Sequence, residues 1–198
     1  ALDELQPDLL VLGAYRRRLL QDNFIGTTAE RAIRRSPKPV LMVNNADSRD
    51  SYTHLLAAVD LSDNAAHALR TAIELALTRD AVFSIAYVFD APGIGGMTTG
   101  SMSKANIKSY LADEQRLATG ELNEFLETLN VGRVQRIVRH VDTTVVAAIR
   151  EIATELSADL LVIGAGAGSG PVRMVLGSTA LEILAASRRD ILVVPRPK

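Results

Sequence analysis

The chain repeats itself. Asp8-Leu9-Leu10-Val11-Leu12-Gly13-Ala14 recurs as Asp159-Leu160-Leu161-Val162-Ile163-Gly164-Ala165, 151 residues further on. The same offset carries Gly26-Thr27-Thr28-Ala29 onto Gly177-Ser178-Thr179-Ala180 and Ser36 onto Ser187. It also carries Val40-Leu41-Met42-Val43 onto Ile191-Leu192-Val193-Val194. Four matches in one register, with no gap between them, mark a single structural unit written twice.

Each copy reads strand, loop, helix, strand. The runs at 8–13 and 159–164 are short, rich in Leu, Val and Ile, and do not alternate with polar residues. That pattern belongs to strands covered on both faces. Thr27-Thr28-Ala29-Glu30 has the spacing of a capping box and starts a helix. The helices end near Ser36-Pro37 and Ser187-Arg188, and Pro39 and Asp190 open the closing strands.

The second copy has a preamble that the first lacks. His54 to Val59 is an apolar strand, and Ser62 is placed to cap a helix reaching about Thr78, with Leu69, Ala72 and Ile73 on its inner face. Ala81 to Val88 is a second strand. A Gly/Ser/Thr/Met-rich loop over 92–103 precedes a helix running through Ile107, Leu122, Leu126 and Leu129. Val134 to Val138 is a third strand, and Asp142 to Leu156 is helical with Asp142 as N-cap. Strands alternating with helices imply parallel pairing and right-handed crossovers, which makes an α/β fold with a doubly wound five-stranded parallel sheet. Residues 52–198 thus read as one complete domain. Residues 1–45 read as the strand–helix–strand end of a similar one, a partial second copy, with 46–51 as linker inside the polar stretch Asn44 to Ser51. Two strands and a helix bury too little surface to offset chain entropy, so this tail is expected to pack on the complete domain or on a partner half.

Composition narrows the function. Lys and Arg total 22 against 23 Asp and Glu, a net charge of −1, which disfavours a nucleic-acid backbone as partner. With no cysteine, disulfides, thiolate nucleophiles and zinc–thiolate sites are excluded. His54, His67 and His140 form no metal-spaced pair, so no metal ligand set is expected. No apolar run approaches the roughly 18 residues of a membrane helix. The first residues lack the basic and apolar regions of a signal peptide, which makes the cytoplasm the expected location.

Ligands of open parallel sheets bind beyond the carboxyl ends of the strands, where strand order reverses. Val59-Asp60-Leu61-Ser62 and Tyr87-Val88-Phe89-Asp90 fall at such ends, as does the run Gly164-Ala165-Gly166-Ala167-Gly168-Ser169-Gly170, whose loop leads to Gly177-Ser178-Thr179 at a helix start. Glycines let a ligand approach the main chain, and a helix N-terminus offers unpaired N–H groups to an anion. Together they make a phosphate cradle; the alternative is an ordinary flexible turn. No Gly-Lys-Ser/Thr follows, which excludes a Walker loop, and G-x-G-x-x-G fails at Ser169 and at Pro171.

With these residues the whole chain resembles the universal stress protein family, as a tandem member whose first domain is incomplete at its start. The resemblance implies an adenine nucleotide alpha hydrolase-like, Rossmann-like fold and binding of ATP, with or without Mg2+. Family members that bind ATP carry G-x-x-G-x9-G-S/T after the fourth strand and an Asp after the first. Carried over, Asp60 contacts the ribose or adenine side, Val88 holds adenine through its backbone, and Ile163 lines the base pocket. Gly164, Gly177, Ser178 and Thr179 hold the phosphates. The second motif glycine falls on Ala167, a departure that costs roughly 1–2 kcal/mol if the position is left-handed. In the first copy that position is Arg16, within Arg16-Arg17-Arg18, so this half reads as a degenerate site. Arg173 is either a phosphate contact or a solvated loop arginine.

Three functions compete. The first is a nucleotide-binding stress-response protein. The second is an interaction or dimerisation module of the same family without nucleotide. The third is a slow ATPase, for which the sequence shows no nucleophile–base pairing; no catalytic residue is assigned. Asp60 alone reads equally well as a helix-start carboxylate, His67 as a rim residue, His140 as a turn residue, and Met97 and Met102 as lid or ordinary loop. The apolar strands 39–43 and 190–194 each close a sheet, and free strand edges invite pairing. The family resemblance implies antiparallel association through the last strand, so these two are expected to pair within the chain or between copies in a homo-oligomer.

Overall fold

The structure, a computed structural model, describes residues 7–13, 27–44, 51–75, 77, 79–92, 103–165 and 176–196. Ala167, Arg173, the Arg16–Arg18 run, Gly26, Met97 and Met102 lie outside the described residues. The elements are β1 (Leu10–Gly13), α1 (Thr27–Arg35), β2 (Val40–Val43), β3 (His54–Val59), α2 (Asp63–Glu74), β4 (Val82–Phe89), α3 (Lys104–Glu127), β5 (Gln135–His140), α4 (Val145–Glu155), β6 (Leu160–Ala165), α5 (Ser178–Ala186) and β7 (Asp190–Pro195).

All seven described strands join one sheet in the order β1-β2-β7-β6-β3-β4-β5. Every neighbouring pair is parallel except β2 with β7, which is antiparallel. The five strands expected for 52–198 therefore continue into two more. Leu10 pairs with Val40 and Leu12 with Met42 on one side; Leu161 pairs with Ile191 and Ile163 with Val193 on the other. These are the same pairs displaced by the repeat offset of 151.

For β6 and β7 the non-alternating apolar runs are explained by helices on both faces; β1 departs from that expectation, since its residues alternate in exposure and Val11 faces outward. Ile191 and Val193 of β7 point into a core shared with Ile33 of α1, Ile149 and Ile152 of α4 and Ile183 of α5. Leu192 and Val194 point the other way, toward Leu69 of α2 and Leu122 and Leu126 of α3. A strand feeding two cores has no polar side to show.

Helix starts follow side-chain chemistry. The Ser62 hydroxyl accepts the Ala65 amide at 3.3 Å, Ser103 that of Asn106 at 3.2 Å, and Thr144 that of Ala147 at 3.1 Å. The last bond corrects the expectation that Asp142 caps α4. Thr144 is extended and reaches the third amide, whereas Asp142 is exposed with its Oδ1 3.2 Å from Nδ1 of His140. The helix after Ser62 also ends early, at Glu74. There the ladder widens, and the amide of Leu77 reaches back to the carbonyl of Ala72.

Two carboxylates fasten the strand starts. Asp159 accepts the Thr53 amide and hydroxyl, each at 2.8 Å, and the His54 amide at 3.0 Å, fixing the start of β3 beside that of β6. Asp190 accepts the Asn44 amide at 2.7 Å and the Tyr52 hydroxyl at 2.8 Å, so residues flanking the stretch between β2 and β3 meet at one side chain. Burial first, then the hydrogen bond and charge of Asp190, push the Tyr52 phenol above its ordinary range.

Candidate functional site

Strand order reverses between β3 and β6, because the chain leaves β3 for β4 on one side and later returns to β6 on the other. At the carboxyl ends of these strands lies a cavity of about 470 Å³. Asp60, Val88, Ile163, Gly164, Gly177, Ser178 and Thr179 all line it. These are seven of the eight positions singled out from the sequence; the eighth, Ala167, is the one outside the described residues.

Local geometry aims each of them. Asp60 follows β3, and its Oδ1 accepts the amide and hydroxyl of Ser62 at 3.1 and 2.5 Å. Between them Leu61 has φ of 59°, left-handed backbone that a bulky residue adopts only under constraint. The reversal turns the chain from β3 into α2 within three residues, keeping the carboxylate at the cavity rim.

Gly164 has a packing reason of its own. A Cβ there would lie 3.0 Å from the Asn64 carbonyl oxygen and 3.2 Å from its carbon. Those are backbone atoms of the first turn of α2, which cannot swing aside as a side-chain tip can. The glycine therefore lets α2 sit against the end of β6.

α5 begins differently from α2, α3 and α4. Its N-cap is Gly177, extended at φ −60° and ψ 154°, with no side-chain bond to the first turn. Among the described residues no side chain caps the amides opening α5, and they carry the positive end of the helix dipole.

Apolar walls complete the enclosure. Val88 and Ile163 stand on opposite sides of β3, with Ala58 of β3 between their strands, Ala86 beside it on β4, and Val145, Ile149 and Ile183 contributed by helices. Tyr87 lies at the edge, its hydroxyl donating to Glu121 at 3.2 Å. Burial, followed by the charge and hydrogen bond of Glu121, raises its phenol pKa.

The sequence reading missed Asn64 and Arg196 as lining groups. Ser62 appeared there both as a helix cap and in the run closing the first strand of the complete domain, without a ligand role of its own. Arg196 follows the last strand as a single basic residue, a signal visible only once β7 is known to run beside β6. His67 and His140 are not among the residues lining the cavity. Burial lowers the His67 pKa, and the His140 ring stacks edge-on to Phe89 at 5.6 Å. Among the described residues no cluster of three or more His, Asp or Glu is placed to hold a metal, and no helix is long and apolar enough to cross a membrane. A second cavity, about 570 Å³, opens between α4 and α5; Ile149 and Ile183 line both.

Comparison with known proteins agrees on one family. The model of the "Universal stress protein family" matches residues 1–44 and 51–195. Universal stress protein A homolog 1 of Coxiella burnetii is 28% identical over 149 residues, covering 72% of this chain and 96% of its own. A functionally unknown protein from Pseudomonas aeruginosa PAO1 superposes with a TM-score of 0.71 at 18% identity, over 99% of this chain and 66% of that one. A universal stress protein from Archaeoglobus fulgidus does so at 0.63 and 19%, over 98% and 64%. At these identities the likeness to the solved structures is one of fold, and this chain spans slightly less than two thirds of either.

Proposed function

The chain belongs to the universal stress protein family, and on that premise we propose that the cavity at the ends of β3 and β6 binds an adenine nucleotide, ATP foremost, in a stress-response or signalling role. The observation that carries this reading is convergence. Residues far apart in sequence, from Asp60 to Thr179, line one cavity at the reversal of strand order. Its chemistry is graded: apolar walls suit a base, Asp60 is an acceptor for ribose hydroxyls, and the uncapped start of α5 suits phosphate. We further read the chain as a cytoplasmic tandem protein, in which 1–45 is the end of one domain and 52–198 a complete second one. In that reading the β2–β7 seam is an association surface, within the chain or in a homo-oligomer. Mg2+, if it enters, comes with the nucleotide.

The test is direct. A denaturing extract of the purified protein is checked for adenine nucleotide, and ATP is titrated calorimetrically into the parent and into Gly177→Leu. The expected result is measurable heat for the parent and none for the variant, whose circular dichroism is unchanged. No heat at millimolar ATP for the parent sinks the reading; equal heat from both moves the site elsewhere. One observation favours the second reading, an interaction module without nucleotide: the contact of Gly164 with α2 accounts for that glycine with no ligand at all.

A further inference from the structure

The cavity is electrically polarised. Among its described lining residues the charged side chains are two, Asp60 and Arg196. Asp60 follows β3 and Arg196 follows β7, and β6 lies between those strands. Two strand spacings put their backbones about 10 Å apart. Ala165 pairs with Pro195, so Arg196 is the next residue beyond the end of β6. It therefore stands where the chain leaves β6 toward α5, at the end of the cavity away from Asp60.

Arg196 is also uncommitted. It is exposed, and no ion pair or hydrogen bond with the described residues engages its guanidinium. Other arginines of this chain are spent on structure: Arg139 forks onto Glu155, and Arg189 donates to the Ala158 carbonyl at 2.7 Å and the Thr154 hydroxyl at 3.0 Å. The position is not part of the repeated pattern either. Moving back by 151 residues from Arg196 gives Asn45, so the copy with the degraded glycine pattern also lacks the arginine.

Resting on the reading of this cavity as a nucleotide site, we propose that Arg196 is its specificity-determining residue, pairing with the phosphate tail and selecting phosphorylated adenosine over the bare nucleoside. A guanidinium offers a planar fork of N–H donors that fits two phosphate oxygens at once. The α5 amides supply a second set of donors, so the anion is held between a helix start and an arginine. Asp60 opposes phosphate at the other end, which fixes the orientation: base and ribose toward β3 and β4, phosphates toward β7 and α5. The ligand class is an adenosine phosphate whose affinity climbs with each added phosphate.

The experiment titrates adenosine, AMP, ADP and ATP into the full chain, into Arg196→Gln and into Arg196→Lys. The parent is expected to bind ATP far more tightly than adenosine. In Arg196→Gln the ATP affinity falls roughly ten- to hundredfold while adenosine is unaffected. Arg196→Lys recovers part of the loss, having the charge without the fork. The salt dependence of ATP binding is shallower for Arg196→Gln than for the parent. An unchanged ATP-to-adenosine ratio in Arg196→Gln overturns the proposal, as does an equal loss for all four ligands, which marks a residue that shapes the cavity rather than reading phosphate. If the parent binds none of the four, the nucleotide reading itself has failed, a result distinct from both.

Discussion

Leu41 of β2 lies directly opposite Leu192 of β7 in the one antiparallel seam of the sheet, and the two are separated by 151 residues, the offset of the internal repeat. Val40 opposite Val193 and Met42 opposite Ile191 complete a register that is symmetric about that pair. The seam thus joins equivalent strands through equivalent residues, and Leu41 and Leu192 contribute to the same core with Leu69 and Leu122.

The contact gives a first prediction. Leu192 is fully buried and Leu41 nearly so. Each change to Ala is expected to cost about 2–5 kcal/mol, near the lower end for Leu41. Because the side chains belong to one core across one seam, the double variant should fall short of additivity by roughly 0.5–3 kcal/mol. Urea titration of the four proteins measures this. Strict additivity means that the two strands are not held together in solution.

Gly164 supplies the second. Adding a methyl group brings a carbon within 3.0 Å of the Asn64 carbonyl oxygen. Relief requires the first turn of α2 to move, and with it Ser62 and Asp60. Gly164→Ala is expected to lose roughly 1–3 kcal/mol of stability and to weaken nucleotide binding together with it. Thermal unfolding and calorimetry on the same preparation check both. A stable variant that binds as well as the parent means that α2 accommodates the methyl group.

Much of this architecture was legible in the residues. The twin strand runs, the short polar break after Val43 and the Ser62 cap are local patterns, and local patterns survive without tertiary context. What escaped was decided by contact. Asp142 and Thr144 are both good capping residues, and only the extended conformation of Thr144 puts its hydroxyl on the Ala147 amide. Nothing in Asp60-Leu61-Ser62 announces a left-handed leucine, because the turn is imposed by the strand and helix on either side. Gly164 belonged to a ligand motif in the sequence and meets a helix in three dimensions; one glycine serves either demand, and its identity does not separate them. Arg196 became visible as a lining residue only through the pairing of β7 with β6.

A third prediction concerns acid. Burial alone would raise the Asp159 carboxyl, but the amides of Thr53 and His54 and the Thr53 hydroxyl outweigh it and hold the pKa below its ordinary value. An unfolded aspartate titrates near 3.9. A group with a depressed folded pKa contributes stability that is complete above the unfolded value and is lost as pH falls through the folded one. Asp159→Asn is therefore expected to cost about 1–2 kcal/mol at pH 7. The gap between variant and parent should start to narrow as pH falls below about 3.9, where the unfolded carboxyl takes up its proton, and should close only below the depressed folded value. Denaturant titrations at pH 7, 5, 4 and 3 test this, and a gap constant down to pH 3 shows that the charge at Asp159 is not what holds β3.

The last prediction sets stability against binding at the start of α5. Gly177 has φ of −60° and ψ of 154°, conformations open to any residue, so backbone strain does not demand glycine there. Serine at this position would point a hydroxyl at the first-turn amides, as Ser62 and Ser103 do for α2 and α3. On capping grounds Gly177→Ser should stabilise the protein by a few tenths of a kcal/mol. The same hydroxyl would occupy donors that a phosphate uses, so ATP affinity should fall while adenosine affinity stays level. Stability from urea titration and affinity from calorimetry should move in opposite directions. A variant that gains stability and keeps its ATP affinity shows that the amides of α5 do not hold phosphate, which would leave Arg196 as the anion contact among the described residues.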